Sequence, residues 1–406
     1  MRMGGFLIKR EGKILENKED IIIKCIGCGA EFTFTYSEQK NYELRGFTAP
    51  KRCKKCRKAR RAEIESKKRA EADLIWYRQE EQKINRLLAE LPYSRISTQD
   101  VHIFEPGKTL YVIGNGFDIV HGVPSRYSDF RDSMGRNNDL RWRLETFLKT
   151  DSLWSDFEEA LAHIDGSAML GTVDMWMDIM GAYEPDAQMA DMCIAYEAAT
   201  DSALEITRAL PKKFRKWVET LKSTKEPMWN NILHPAGLYL NFNYTEFVET
   251  LYGVAAQRVT YIHGCRKNKK QELILGHAPG AGDNDDWTPT IPVPKYKSRR
   301  KRELLDAAME SAAYNLTWYD NETTKKTDEI IANHQEFFDK SADATMIVVL
   351  GHSLSVVDYP YFREIIKQNR NKAKWLISWH GSRDLENIKA FAAEMEIEAK
   401  KITIMK

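Results

Sequence analysis

Four cysteines and a recurring set of Gly, Asn, His and Ser residues are the parts of this sequence whose types and spacing suit chemistry. Cys25-x-x-Cys28 is followed, after 24 residues, by Cys53-x-x-Cys56. Two such pairs present four thiolates to one tetrahedral ion, the spacing of a four-cysteine zinc ribbon with a hairpin between its knuckles. Gly27 and Gly29 allow the tight turn that carries knuckle N–H groups to sulfur. So small a unit buries too little apolar surface to fold without its metal. A redox dithiol is the competing reading, and the presence of two paired knuckles argues against it.

The second set recurs at the ends of apolar runs. Gly114-Asn115-Gly116 follows Leu110–Ile113, Asn243 follows Leu240, His263-Gly264 closes 258–264, and Gly276-His277 closes a run beginning at 272. Gly351-His352-Ser353 ends the most apolar run, and His380-Gly381 ends another. A glycine turn between a strand and a helix exposes backbone N–H groups beside a helix dipole, which suits an anion. G-x-G alone lacks the third glycine of the dinucleotide fingerprint, so an ordinary tight turn stays open. Histidine suits general-base work near neutral pH, and an Asn amide both donates and accepts. Asp118, just inside the first turn, suits orientation of a histidine or a water.

These residues need elements to hold them. The apolar runs at 110–113, 237–243, 258–264, 272–280, 344–350, 374–380 and 402–405 alternate with helical stretches. That alternation predicts a doubly wound, mostly parallel α/β sheet, whose strand ends share one ligand-binding edge. Asn115, Asn243, His263, His277, Ser353 and His380 are expected to gather there. Residues 140–222 are helical in pattern and predict an inserted helical layer, with 186–210 and 212–222 as separate helices. Trp154, Phe157, Leu161 and Ile164 share one face of a helix in it. Asp156, Glu158 and Glu159 suit acid/base roles but read more readily as a solvated helix face.

Ahead of this domain, residues 57–91 are charged, rich in helix formers, and free of Gly and Pro up to Pro92. One long helix is predicted, with Leu74, Ile75, Leu87, Leu88 and Leu91 as a partial apolar stripe. A spacer, a dimerising helix and an arm on nucleic acid are the three roles it suits. The polar stretch 94–107 is expected to be an irregular boundary. The division is therefore 1–56 zinc ribbon, 57–92 helical linker and 108–406 α/β domain.

Charge is unevenly distributed. Residues 1–100 hold 23 Lys and Arg against 15 Asp and Glu, whereas the remainder holds 38 against 44. A basic head on a mildly acidic body suits phosphate or an acidic surface. No apolar run approaches a membrane span, and MRMGGFLIKREGK lacks a signal-peptide core, so a cytoplasmic protein is expected.

The motifs I-G-N-G-F-D-I-V-H-G-V-P-S-x-Y-x-D-F, W-S-D-F-E, F-N-Y-T-x-x-x-E-x-L-Y, I-H-G, L-G-H and G-H-S-L-S-x-x-D-x-P-Y-F occur in that order over 108–406. Their set resembles the AbiH family of bacteriophage abortive-infection proteins, which implies an anti-phage effector answering a phage-derived trigger. A more distant resemblance is to sirtuins. Gly114-Asn115-Gly116, His121-Gly-Val-Pro, Asp129-Phe-Arg131, Asn243-x-Thr245, His263-Gly264 and Gly351-His352-Ser353-Leu354 follow the order of sirtuin motifs. It implies a Rossmann-type fold and NAD⁺ as substrate. Gly114 and Gly116 would approach the pyrophosphate, with Asn115, His121, Gly351 and His352 on the same ligand side. Asn243 would hold the nicotinamide ribose, His263 would be the general base, and Ser353 would contact phosphate or ribose. Asn115, Asp118, His121 and Thr245 depart from the sirtuin residues at their positions, and no acetyl-lysine site is carried over.

The segment F-x-F-T-x-x-E-Q followed by G-F-x-x-P-K-R-C-x-x-C-R is similar to a probable zinc-ribbon family, which implies structural zinc on Cys25, Cys28, Cys53 and Cys56. NAD⁺ hydrolysis is the expected reaction. The other readings are an effector acting on nucleic acid through the basic arm and the run KYKSRRKR, and a nucleotide-binding sensor without turnover. A homo-oligomer is compatible with all three. A serine hydrolase centred on Ser353 is disfavoured, because Gly351-His-Ser353-Leu-Ser355 lacks the second glycine of a nucleophile elbow.

Overall fold

Strands as apolar as Leu110–Ile113 and Ile347–Leu350 cannot face water on either side, and they form the middle of one sheet. The computed structural model describes residues 19–182, 188–282 and 299–406. It divides into two compact units, one ending at Lys83 and one spanning Ile84–Lys406, with the division inside a helix at Lys54–Glu90. Residues 283–294 and the start of the basic run KYKSRRKR lie outside the described residues.

The first unit pairs β1 (Ile21–Lys24) with β2 (Glu31–Phe34) as an antiparallel hairpin around Cys25 and Cys28. Thr35 caps a helix at Tyr36–Leu44 through a capping box with Glu38. Cys53 and Cys56 then sit at the start of the long helix, so the second pair belongs to a helix N-terminus and not to a second hairpin.

In the second unit, β3 (Ser94–Ile96), β4 (Thr109–Ile113), β5 (Leu238–Asn241), β6 (Val259–Tyr261), β7 (Met346–Leu350), β8 (Lys374–Ser378) and β9 (Ile402–Met405) form one parallel sheet in the order β3-β9-β8-β7-β4-β5-β6. The chain winds outward from β4 to β6, returns to β7 on the other side of β4, and winds outward again. The ends of β4 and β7 thus flank the point where strand order reverses, the usual ligand crevice of such sheets. Along β4, Tyr111 and Ile113 pack into the core on one face while Leu110 and Val112 pack into the core on the other.

Several expectations are corrected. Ser94–Ile96, read as irregular, pairs with β9 as an edge strand, where polar residues are tolerated because one side faces no neighbour. Residues 272–280 are not a strand: their one ladder contact is a bridge between His277 and Thr324. Met189–Val218 is one helix through Pro211, and Leu210, Phe214 and Trp217 buried on either side of the proline offset its lost hydrogen bond. A helix at Arg299–Thr323, absent from the sequence reading, packs Leu305, Ala308 and Ala312 against Ala195, Tyr196 and Ala199 of that helix. The proposed stripe on the long helix divides, with Leu87 and Leu91 buried and Leu74 and Ile75 exposed. Among the described residues, no helix is long and apolar enough to cross a membrane.

At the crevice itself the two loops touch through backbone. A Cβ on Gly114 would stand 2.5 Å from His352 Cα, and one on Gly116 2.7 Å from Gly351 Cα. Gly351 has φ +63°, and a Cβ there would meet the Phe117 amide nitrogen at 2.2 Å. Gly351→Ala is therefore expected to destabilise the α/β unit by about 2–4 kcal/mol, from left-handed strain plus overpacking. Urea unfolding measures it, and an unchanged midpoint would contradict the contact.

Candidate functional site

The residues that end β4 and β5 form a buried polar knot. Asn243 Nδ2 donates to the Gly114 carbonyl at 3.0 Å and to Asp118 Oδ1 at 2.8 Å. Thr245 Oγ1 donates to Asp118 Oδ2 at 2.6 Å, and Asn241 Oδ1 accepts the Asn243 N–H at 2.9 Å. Burial pushes the Asp118 carboxyl up to about 7, against the pull of the Thr245 and Asn243 hydrogen bonds. The G-N-G turn and the F-N-Y-T motif are thereby locked to each other.

The glycines have a task here other than the one expected. Gly114 N–H donates to Leu350 O at 3.0 Å and Gly116 N–H to Gly351 O at 2.7 Å, so both amides are satisfied by the β7 loop. They close the floor of the crevice, and only Asn115 of this turn is exposed, its Nδ2 on Ser125 O at 2.9 Å. His121 is likewise a strut. It is buried, with Nδ1 2.7 Å from Phe117 O and Nε2 2.6 Å from the Tyr252 hydroxyl. Nδ1 must donate to the carbonyl, burial lowers the ring's pKa, and neither nitrogen is left for a ligand.

A second cluster lies across Phe242, whose ring packs on both His263 (5.4 Å) and His352 (4.3 Å). His263 is buried, ringed by Tyr361 and Tyr244, and its Nε2 has no hydrogen-bond partner. That nitrogen stands 3.8 Å from Asp358 Oδ1. Asp358 Oδ2 lies 3.4 Å from His352 Nε2, and His352 Nδ1 accepts the Leu354 N–H at 2.9 Å. Lys325 has no exposed side chain and reaches Glu158 Oε2 at 2.9 Å and Asp358 Oδ1 at 3.3 Å. The Tyr244 hydroxyl donates to Ile274 O at 2.8 Å and faces Glu158.

Burial lowers the His263 pKa well below the ordinary imidazole value, and the Lys325 charge lowers it further, so the ring is neutral near pH 7. Burial opposes the Asp358 charge, but Lys325 and His352 outweigh it and hold its carboxyl well below the usual range. For Glu158 burial prevails over Lys325, and Asp358 adds to the upward shift. Burial also works against the Lys325 charge, and the two carboxylates overcome it. The cluster thus combines a buried imidazole with an unpartnered nitrogen, a fixed ion pair, and a carboxyl whose pKa burial raises.

Of the residues expected to gather at the strand ends, Asn243 and His263 lie in these two clusters, joined by His352, which the resemblance placed on the ligand side. Ser353 is exposed, as is His380, whose backbone N–H is held by Asp384. His277 is buried elsewhere, with Nδ1 on Ala278 O and Nε2 3.6 Å from Asp320. Its N–H bonds Thr323 O and its carbonyl accepts the Lys325 N–H, both at 2.9 Å, so the segment read as a strand positions Lys325. Glu158, read as a solvated helix face, is part of the cluster, while Asp156 beside it pairs with Arg383 at the surface. Asp358, Tyr244 and Glu158 all stand in motifs quoted above. Lys325 stands in none, and nothing in its sequence surroundings marks it.

In the first unit, the ligand atoms of Cys25, Cys28, Cys53 and Cys56 all lie within 4.8 Å of one another. The Cys28 and Cys53 sulfurs are 3.9 Å apart, close to the edge of about 3.8 Å that four zinc–sulfur bonds of ~2.3 Å require of a tetrahedron. The Gly27 and Cys53 N–H groups donate to Cys25 Sγ at 3.4 and 3.3 Å, as knuckle amides do to a thiolate. The donor set and its spacing fit structural zinc.

Two family models match the chain: a probable treble clef domain over residues 19–65, and bacteriophage abortive infection AbiH over residues 110–379. No curated protein and no solved structure matches it. A treble clef joins a knuckle hairpin to a knuckle at a helix start, the arrangement of the first unit. The second match spans most of the α/β unit and carries both polar clusters, so the chain belongs to the bacteriophage abortive infection AbiH family.

Proposed function

We propose that the α/β unit is the effector of this abortive-infection protein and that it hydrolyses NAD⁺ at the nicotinamide–ribose bond. The observation that carries this reading is the neutral, unpartnered His263 Nε2, buried beside Asp358 and Lys325 at the ligand edge of a doubly wound sheet. Nicotinamide leaves as a neutral base from a cationic glycoside, so no strong general acid is required. Water attacks the ribose C1′, the C1′–N bond breaks, and His263 Nε2 takes the proton. Asp358 and Lys325 fix the ring's surroundings, and Asn243 and Asp118 orient the ribose hydroxyls or the water. Gly114, Gly116 and Gly351 shape the crevice floor in this reading and do not cradle phosphate.

His263→Ala is expected to lower nicotinamide release about 10²–10⁴-fold while the fold is retained, since no hydrogen bond to Nε2 is lost. Asn243→Ala is expected to lower it as well, with some loss of stability. Nicotinamide is quantified after incubation of the purified chain with NAD⁺. Variants that release it as fast as the parent would overturn the assignment.

A further inference from the structure

The first unit carries a groove that neither the metal cluster nor the proposed hydrolysis uses. One wall is the loop Phe47–Arg52 and the other is the first part of the long helix with Ile64, and Tyr42 also lines it. Lys51, Arg52, Arg57, Arg60, Arg61 and Lys68 line it, against one acid, Glu65. On the helix, positions 57, 60, 61, 64 and 68 fall on one face at 100° per residue, so the cations form a stripe and not a ring. That stripe runs for roughly 16 Å at 1.5 Å per residue, enough for two or three successive phosphates of an extended strand. Arg57 donates to the Tyr42 hydroxyl, which holds it against the wall. Phe47, at the lip, is 60% exposed and Ile64 44% exposed.

From this combination we propose that the groove binds single-stranded nucleic acid, the cations tracking phosphates and a base stacking on Phe47. An exposed aromatic beside a basic stripe suits unpaired bases, whose faces are free, better than a duplex, whose faces are stacked. An acidic protein would meet the charge but leave the aromatic lip without a use.

The test uses the full chain with zinc and fluorescein-labelled 12-mers of single-stranded RNA, single-stranded DNA and the matching duplex, followed by anisotropy at 50–300 mM salt. Arg60→Glu with Arg61→Glu is expected to weaken single-strand binding at least 10-fold. The salt slope should fall by about 1.4, since each phosphate contact on a single strand contributes about 0.7. Lys58→Glu with Arg69→Glu makes the same charge change off the groove face and is expected to alter binding less than 3-fold. Phe47→Ala should weaken single-strand binding with no change in salt slope. Unchanged zinc content and circular dichroism show that each variant is folded. Equal losses in both charge-reversal pairs would overturn the proposal. So would equal affinity for duplex, or full displacement by polyglutamate with no effect of Phe47→Ala. RNA against DNA preference then names the strand.

Discussion

Stripping zinc from the full chain is expected to unfold residues 19–83 and leave 84–406 intact. Among the described residues of the first unit, only Cys25, Phe34 and Pro50 are buried. Phe34, Tyr42 and Phe47 make edge-to-face contacts at 5.1 and 5.9 Å, which is too little apolar burial to offset the entropy of ordering this segment. Four thiolates on one ion supply the balance, since apparent zinc-binding free energies of about 10–16 kcal/mol act as folding free energy in such modules. One zinc per chain is expected. Cys53→Ser should lose it and expose 19–83 to protease, while urea unfolding of the α/β unit keeps its midpoint. Folding of the first unit in excess chelator would contradict this account.

Lys325→Met is expected to be the most damaging single change in the α/β unit, at about 3–5 kcal/mol. The variant leaves the Glu158 and Asp358 carboxyls buried without their cation, and these residues join the helical insertion to the loop after β7. In the parent, Asp358 has a lowered pKa, so its contribution is present above the unfolded value near 3.9 and is lost as acid protonates it. Without Lys325 the Asp358 carboxyl is raised instead and that of Glu158 is raised further, and their folded forms bind the extra protons. The variant should therefore gain more stability than the parent as pH falls from 8 to 5, a window in which the raised Asp118 and Glu158 carboxyls already act with that sign in the parent. Glu158→Gln in the Lys325→Met background should recover part of the loss, and urea midpoints across pH measure all of it. A parent-like pH profile for Lys325→Met would show that the three groups are not coupled.

Local pattern was enough to read the strands that begin near 110, 344, 374 and 402, because a strand buried on both faces needs an unbroken apolar run. It was enough for the cysteine cluster, because ligand spacing within a knuckle is set by the chain itself, and for bringing Asn243 and His263 to one edge, because polar residues at strand ends collect there. Only tertiary structure could show that Gly114, Gly116 and Gly351 are glycines because two loops meet backbone to backbone. Nor could periodicity reveal that His121 is spent on Phe117 and Tyr252, or that Pro211 is held inside a helix by the burial around it. Lys325 is the plainest case. A lysine in T-T-K-K-T reads as surface, and its burial depends on carboxylates 167 and 33 residues away in the chain. A charge can be buried only where opposite charges have been brought to it, and bringing them together is the work of the fold, not of the residues beside it.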